Sequence, residues 1–344
     1  MPDAYTSQFS GEEIDAALRA AQIISGADTP AELRKKLEIR GDTIPVSATD
    51  PTPVSEALTA SGGGVNPNLF DNWYFGRPVN QRGQTEYTSS GYTIDRWYAE
   101  QITVQVMGGY IKCTSSGTYT RLQQTIEGFY LAGNTITFSA LAKSAPRKMC
   151  RIMLYDLSND TEYELHFRHN FTSSDWELVT GTATIRDNVP EKLSILFYVD
   201  DSEEHGSLDI LAAKLELGDT QTLAHEEGDK WVLNEIPDYG EQLRRCQRYF
   251  VRLTNAYGYG WTYNSSIANF FVSLPTTMRA NPVIKLTTNG EIQTINGAKT
   301  VTGFEAKGIH PNGFAIDLHN SANALITGTP VTWHSSSMDI SADL

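Results

Sequence analysis

The chain has 344 residues, with 27 Lys and Arg against 41 Asp and Glu, for a formal net charge of −14. That charge repels phosphate backbones and anionic membrane surfaces, which argues against a nucleic-acid partner and against binding to an anionic membrane surface. No run of about 18 apolar residues occurs, so no spanning helix is expected. The opening MPDAYTSQFSGEE has neither the basic nor the apolar region of a secretory signal, and synthesis in the cytoplasm is expected. The charge is uneven: from Glu241 onward eight basic residues meet six acidic ones, so the acidity sits in the earlier part. Cys113, Cys150 and Cys246 are odd in number and lack C-x-x-C or Cys/His spacing, which points to buried thiols rather than a disulfide framework or zinc site.

In chain order, Ser10 and Glu13 have the spacing of a capping box, in which hydroxyl and carboxylate satisfy each other's free helical N–H groups. A helix is expected from about Gly11 to Ile24. On it Ile14, Ala17, Ala21 and Ile24 follow a 3-4-3 spacing, with Leu18 beside them, the seam of a coiled coil or a docking helix. Thr29 and Glu32 repeat the signal, with Pro30 at the first helical position, and predict a second short helix ending near Ile39. Residues 1–40 are therefore assigned to anchoring and oligomerisation. Residues 41–67, rich in Pro and Gly, read as a partly stiff linker, with one helical turn over Ser55–Ala60. The tripeptide Arg40-Gly41-Asp42 is of a kind that arises often by chance.

From Asn68 the hydrophobic period becomes two. Ile136, Phe138, Ala140 and Ala142 share one face of TITFSALA, and Leu193, Ile195, Phe197 and Val199 one face of KLSILFYV. Further strands are expected near Ile102–Val106, Tyr110–Thr114, Tyr119–Glu127, Arg151–Asp156, Trp176–Ile185 and Ser207–Leu217. Strands at roughly 10-residue spacing with polar turns describe an antiparallel sandwich. Gly218–Glu241 reads as a polar connector, and EQLRRCQRYFVR as a short helix running into a strand.

The stretch NLFDNWYFGRPVNQRGQTEYTSSGYTIDRWYAE from Asn68 to Glu100 resembles the opening of a β-sandwich module of bacteriophage and prophage tail-fibre and receptor-binding proteins. The strand order after it is similar to jelly-roll carbohydrate-binding modules over residues 68–226. The elements C-Q-R-Y-F at Cys246–Phe250, L-P-T-T-M-R-A-N-P after Ser273 and the ending SADL also resemble tail-fibre proteins, in which such elements join the sandwich to a terminal β-domain. The resemblance implies a mainly β fold: short N-terminal helices, a jelly-roll β-sandwich (68–226), a connector (227–243) and a C-terminal β-sandwich domain that meets the receptor (244–344). It implies a homotrimer, docked to other virion proteins through its N-terminus. It also implies a structural Ca²⁺ held in part by Asp209 of the closing strand GSLDILAAKLELG, and no other cofactor.

A hydrolase needs two carboxylates held about 5 Å or about 6.5–9.5 Å apart, or a nucleophile beside a His and its orienting acid. Asp156, Asp160 and Glu162, and Asp200, Asp201, Glu203 and Glu204, read as solvated turns. His166 and His169 lie on a strand or loop rather than on one helical face. No phosphate loop, G-x-S-x-G or H-E-x-x-H occurs, so no enzyme is expected. Sugar recognition needs aromatic faces flanked by amides or carboxylates. Tyr155 and Tyr198 fall in the register opposite the core residues and should face outward near Asp156 and Asp200. Tyr257, Tyr259, Trp261 and Tyr263 recur every two residues in YGYGWTY and form one stripe, with Gly258 and Gly260 beneath nothing on the other face. A stripe of that bulk packs against a sheet or a subunit, or, if exposed, contacts a receptor. The expectation is a virion fibre that attaches non-covalently to a host-surface glycan or protein; the alternatives are a head-attached decoration fibre and a glycan-degrading spike.

Overall fold

The computed structural model describes residues 45–47, 50–53, 66–117, 120–127, 131–156, 161–185, 192–199 and 206–343. The chain divides into two units, Met1–Val65 and Asn66–Leu344. In the first, β1 (Pro45–Ser47) and β2 (Asp50–Pro53) pair antiparallel, Pro45 opposite Pro53 and Ser47 opposite Asp50. These two strands fall within residues 41–67, read from sequence as a partly stiff linker; proline's fixed φ suits a short, edge-like strand. The expected helices, with Ile14, Ala17, Leu18, Ala21 and Ile24, lie outside the described residues.

The second unit begins with short strands: β3 (Glu86–Tyr87), β4 (Gly91–Tyr92), β5 (Tyr98–Glu100), β6 (Ile102–Val106), β7 (Ile111–Ser115) and β8 (Arg121–Glu127). Longer ones follow: β9 (Thr135–Lys143), β10 (Met149–Asp156), β11 (Thr161–Asn170), β12 (Glu177–Thr184), β13 (Lys192–Val199) and β14 (Ser207–Leu217). They form two six-stranded antiparallel sheets, β11-β10-β13-β8-β5-β4 and β12-β9-β14-β7-β6-β3. One hydrophobic core draws on both. The period-two faces read from sequence supply it, and Leu193, Ile195, Phe197, Ile136, Phe138 and Ala140 are all buried. At its centre Trp97 meets Phe75, Phe70 and Phe197 with ring centroids 5.2, 5.4 and 5.7 Å away. Phe70, Trp73, Phe75, Tyr87 and Trp97 of the opening stretch are thus core, each contributing roughly 2–3 kcal/mol by burial, while Tyr74, Tyr92 and Tyr98 are half-buried.

That stretch also completes a sheet. β14 pairs with β7 only from Ser207 to Ile210. Beyond it the freed edge is taken by the lead-in segment, through Leu69 N–H to Leu215 O (2.8 Å), Ala213 N–H to Trp73 O (3.0 Å) and Phe75 N–H to Leu211 O (2.8 Å). Buried backbone groups are satisfied without an added strand. The connector folds back as well: β15 (Ala224–Glu227) and β16 (Lys230–Leu233) form a hairpin, Leu223 and Ala224 enter the core, and Trp231 and Leu233 pack on it. Buried Lys214 donates to Thr222 Oγ1 (2.8 Å) and Glu235 Oε1 (3.3 Å) of this segment.

A helix, α1 (Tyr239–Gln247), then leads into the terminal lobe. Asp238 caps it by accepting from Glu241 N–H (2.8 Å), and Arg244 and Arg245 complement the dipole in its last turn. The lobe contains β17 (Phe250–Thr262), β18 (Ile267–Ser273), β19 (Val283–Thr288), β20 (Glu291–Thr294), β21 (Gly297–Thr300), β22 (Gly303–His310), β23 (Gly313–His319) and β24 (Pro330–Ser341). Where a second sandwich is expected, these strands form one sheet, β21-β20-β24-β17-β18-β23-β22 with β19 also on β24. The cause is β24, which pairs with β19 over Ser337–Ser341 and β20 over Thr332–His334 on its side away from β17. Between those stretches Ser335 takes φ 65. The sheet surrounds its own core of residues such as Phe270, Ile316, Trp333 and Met338.

The sandwich and the terminal lobe interlock through the motifs themselves. Asp71 binds Arg96 Nε (3.0 Å) from the sandwich and Arg245 Nε (2.7 Å) from α1. The buried Arg96 guanidinium also donates to Thr125 O (2.7 Å) and stacks on Tyr249, 3.4 Å from its ring centroid. Asn72 N–H donates to Gln242 Oε1 (2.7 Å), and Gln81 Nε2 to both Asp95 Oδ2 (2.7 Å) and Phe250 O (2.8 Å). Arg82 joins Asp95 (3.1 Å) to Asp343 (3.0 Å) and lies 3.8 Å over the Phe250 ring. Among the described residues no helix is long and apolar enough to cross a membrane.

Candidate functional site: an exposed aromatic face

The terminal sheet carries the candidate site. Irregular pairing between Leu253 and Gly258 of β17 resets which residues face inward. After it the glycines point to the core: a Cβ on Gly258 would lie 3.6 Å from Trp333 Cε3, and one on Gly260 2.6 Å from Phe270 Cδ1 and 2.1 Å from Asn269 O. Gly258 and Gly260 are therefore not beneath nothing; they make room for the buried Trp333 and Phe270 rings of the lobe's interior. Alternation then turns Tyr257, Tyr259 and Trp261 outward, at 60, 76 and 68 % exposure, with Tyr263 at 74 % just past the strand.

Register sets their neighbours. Trp261 stands opposite Asn269 on β18, Asn269 opposite Asp317 on β23, and Asp317 opposite Glu305 on β22. On the other side Tyr259 stands opposite Thr332, and Thr332 opposite Gln293. Phe271, 70 % exposed, projects from β18 beside the row. Sequence reading missed it, although adjacent Phe270 and Phe271 on one strand must point to opposite faces. Tyr257 and Tyr259 meet edge to face, ring centroids 5.3 Å apart. Asp317 accepts from Asn269 Nδ2 (2.7 Å) and Lys307 Nζ (2.6 Å), and Lys307 also pairs with Glu305 (3.2 Å). Burial works against ionisation of Asp317, but the Lys307 and Asn269 donors outweigh it and hold its carboxyl below the usual range.

The sandwich positions differ. Tyr155 and Tyr198 are half-buried on the outer side of β10 and β13. Tyr198 lies in a row between Arg151 and Arg121, with the Arg151 guanidinium 5.0 Å from its ring centroid. Leu196 and Met153, paired and buried, separate the two tyrosines, so they do not form one platform. Asp156 pairs through its backbone with Leu193; Asp160, Asp200, Asp201, Glu203 and Glu204 lie outside the described residues.

Asp209 faces Lys143 (3.6 Å), whose ammonium sits 4.9 Å from the Tyr110 ring and 4.8 Å from that of Trp176. Burial raises the Asp209 carboxyl against the pull of Lys143 and Lys112. Among the described residues no group of three or more His, Cys, Asp or Glu is placed to hold a metal ion. The ion partner described for Asp209 is thus an ammonium, not a second carboxylate. His169 pairs with Glu177 through Nε2 (2.9 Å), and Cys113, Cys150 and Cys246 are free and buried.

No protein-family model matches the chain, and no curated protein matches it. Solved structures similar to part of it include a CBM4 structure (22 % identity, 45 % of this chain and 100 % of that one, TM-score 0.31). Others are the CBM22-1 xylan-binding domain from Paenibacillus barcinonensis Xyn10C (11 %, 44 % and 96 %, TM-score 0.32) and the enzymatically active domain of bacteriophage CBA120 tailspike protein 4 (14 %, 44 % and 21 %, TM-score 0.28). Scores this low assign this chain neither a fold family nor a ligand.

Proposed function

We propose that this chain is a bacteriophage virion fibre protein that attaches non-covalently to a glycan on the host cell surface, using the outer face of its terminal sheet. The observation that carries this reading is the row Tyr257, Tyr259, Trp261 and Tyr263, held out in solvent over glycines. The lobe's interior is filled by Trp333 and Phe270, so the exposed rings add little to the monomer's own core. Aromatic faces stack on the apolar C–H side of pyranoses, and Asn269, Asp317, Thr332 and Gln293 stand beside them for hydroxyl groups. Exposed apolar patches of this kind mark interaction sites.

The virion setting rests on the resemblance of the interlocking motifs to tail-fibre proteins. In it, residues 1–40, with Ile14, Ala17, Leu18, Ala21 and Ile24, dock the fibre on other virion proteins and begin a homotrimer. A second use of the face has its own support: five rings about 70 % exposed present on the order of 700 Å², near the roughly 800 Å² per partner of a standard protein interface. The face would then be a subunit contact.

The test is retention of the protein on immobilised bacterial surface polysaccharides, with reducing ends assayed in parallel. Retention with no release of reducing ends is expected. No retention on any preparation would sink the reading. Turnover that vanished in Asp200→Asn or Asp201→Asn would make the protein a glycan-degrading spike instead.

A further inference from the structure

Resting on the attachment reading, we infer that the face selects uncharged, linear polysaccharides and grips an internal run of sugars rather than a chain end. Tyr257, Tyr259 and Trp261 take alternate positions of β17 and Tyr263 follows in the bend after it, a stretch of at most about 20 Å at the usual rise per residue, the length of a short run of linked pyranoses. It lies on an open sheet face: the cavity of about 240 Å³ beside Tyr74, Arg77 and Tyr239, and the depression of about 370 Å³ beside Phe304 and His319, contain none of these rings. A terminal sugar is gripped best by an enclosing pocket. A ledge without walls contacts each unit of a chain alike and gains affinity by repetition.

Charge narrows the class further. The carboxylates that register places on this face beside the row, Asp317, Glu305 and Glu291, outnumber its ammonium, Lys307, which is already bound by two of them; the face also carries the imidazoles of His319 and His334. Aromatic faces are themselves the negative pole of the ring quadrupole. A polyanionic glycan would bring like charge against like, and among the described residues the row itself, 257–263, carries no Lys or Arg to receive it. The groups beside the rings, the Asn269 amide, the Thr332 hydroxyl and the Gln293 amide, are neutral and match sugar hydroxyls.

The test uses the full chain on an array of linear oligosaccharides graded in length, neutral and uronic series side by side, at low and high NaCl. Neutral oligomers are expected to bind, each added unit that reaches another ring raising affinity roughly three- to tenfold until the row is spanned, with little change in salt. Tyr259→Ala and Tyr263→Ala should shorten that length dependence while the melting temperature holds. Binding to uronic oligomers alone, or equal affinity for a disaccharide and a long chain, would overturn the inference while leaving attachment by this protein intact. No binding to any glycan would overturn both.

Discussion

The Phe270 ring lies directly beneath Gly260, so close that a Cβ there would fall 2.6 Å from its Cδ1 and 2.1 Å from the Asn269 carbonyl. This contact decides which side of β17 faces water. Gly260→Ala must shift backbone, and a loss of roughly 1–3 kcal/mol is expected in urea unfolding. Gly258→Ala meets only ordinary contacts, 3.6 Å from Trp333 and 3.9 Å from Phe270, and should fall within about 1 kcal/mol of the parent protein. Equal effects at the two positions would contradict the assigned faces.

Asp71 holds two arginines from different lobes, and one of them, Arg96, has only 1 % of its side chain exposed. Removing the carboxylate strands a buried charge. Asp71→Ala is expected to lower unfolding free energy by about 3–5 kcal/mol, with both lobes losing stability together. Scanning calorimetry checks this; a change confined to one transition would mean that the joint does not couple the lobes.

At the same joint, burial lifts the Asp95 carboxyl to about 6, outweighing the Gln81 and Arg82 donors that lower it. Asp343, across Arg82, is raised by burial as well. The folded state therefore holds these protons more tightly than the unfolded chain. Their contribution is full below the unfolded value near 4 and is lost as pH rises to about 6, on the order of 2–3 kcal/mol for Asp95. Glu177 acts oppositely: burial disfavours its charge, but N–H donors from Ser173 and Thr172 and the His169 ring hold it near 2. Its contribution is present above about 4.5 and lost as pH falls toward 2. Melting temperature against pH should show the first slope between pH 4 and 6 in the parent, clearly reduced in Asp95→Asn, where only Asp343 remains to supply it. A slope that survives that change would place it on other groups.

Much of this was legible in the sequence, and what was not has physical causes. Alternation in TITFSALA and KLSILFYV located β9 and β13 because one side of each had to be apolar. It located the aromatic row equally well, but a period of two says only that Tyr257, Tyr259, Trp261 and Tyr263 share a face. Which face depends on Trp333 and Phe270, which lie elsewhere in sequence. The charged letters of D-N-W, N-Q-R-G and I-D-R-W carried no sign that Asp71, Gln81, Arg82 and Arg96 meet Arg245, Phe250 and Asp343, since pairing across more than a hundred residues leaves no local pattern. Tyr198 is half-buried on the outer side of β13; that Arg151 stands over its ring follows from strand register alone.

The two-unit division at Val65 also has a consequence. A chain starting at Asn66 keeps the contacts of Asn66 and Asn68 with Leu217 and Ala213, and its melting temperature is expected to match that of the full protein. In the proposed virion role the same truncation should abolish incorporation into particles. A shortened chain that failed to fold would show that the first unit supports the second.

The central claim is that the exposed row, and Trp261 above all, makes the contact with the host. Trp261→Ala, assayed together for adhesion to susceptible cells, melting temperature and oligomeric state by light scattering, tests it most directly. The expected result is a loss of about 2 kcal/mol or more of binding, with melting temperature and oligomer unchanged. Unchanged adhesion with a dissociated oligomer or a lowered melting temperature would contradict the claim and make the row a subunit contact.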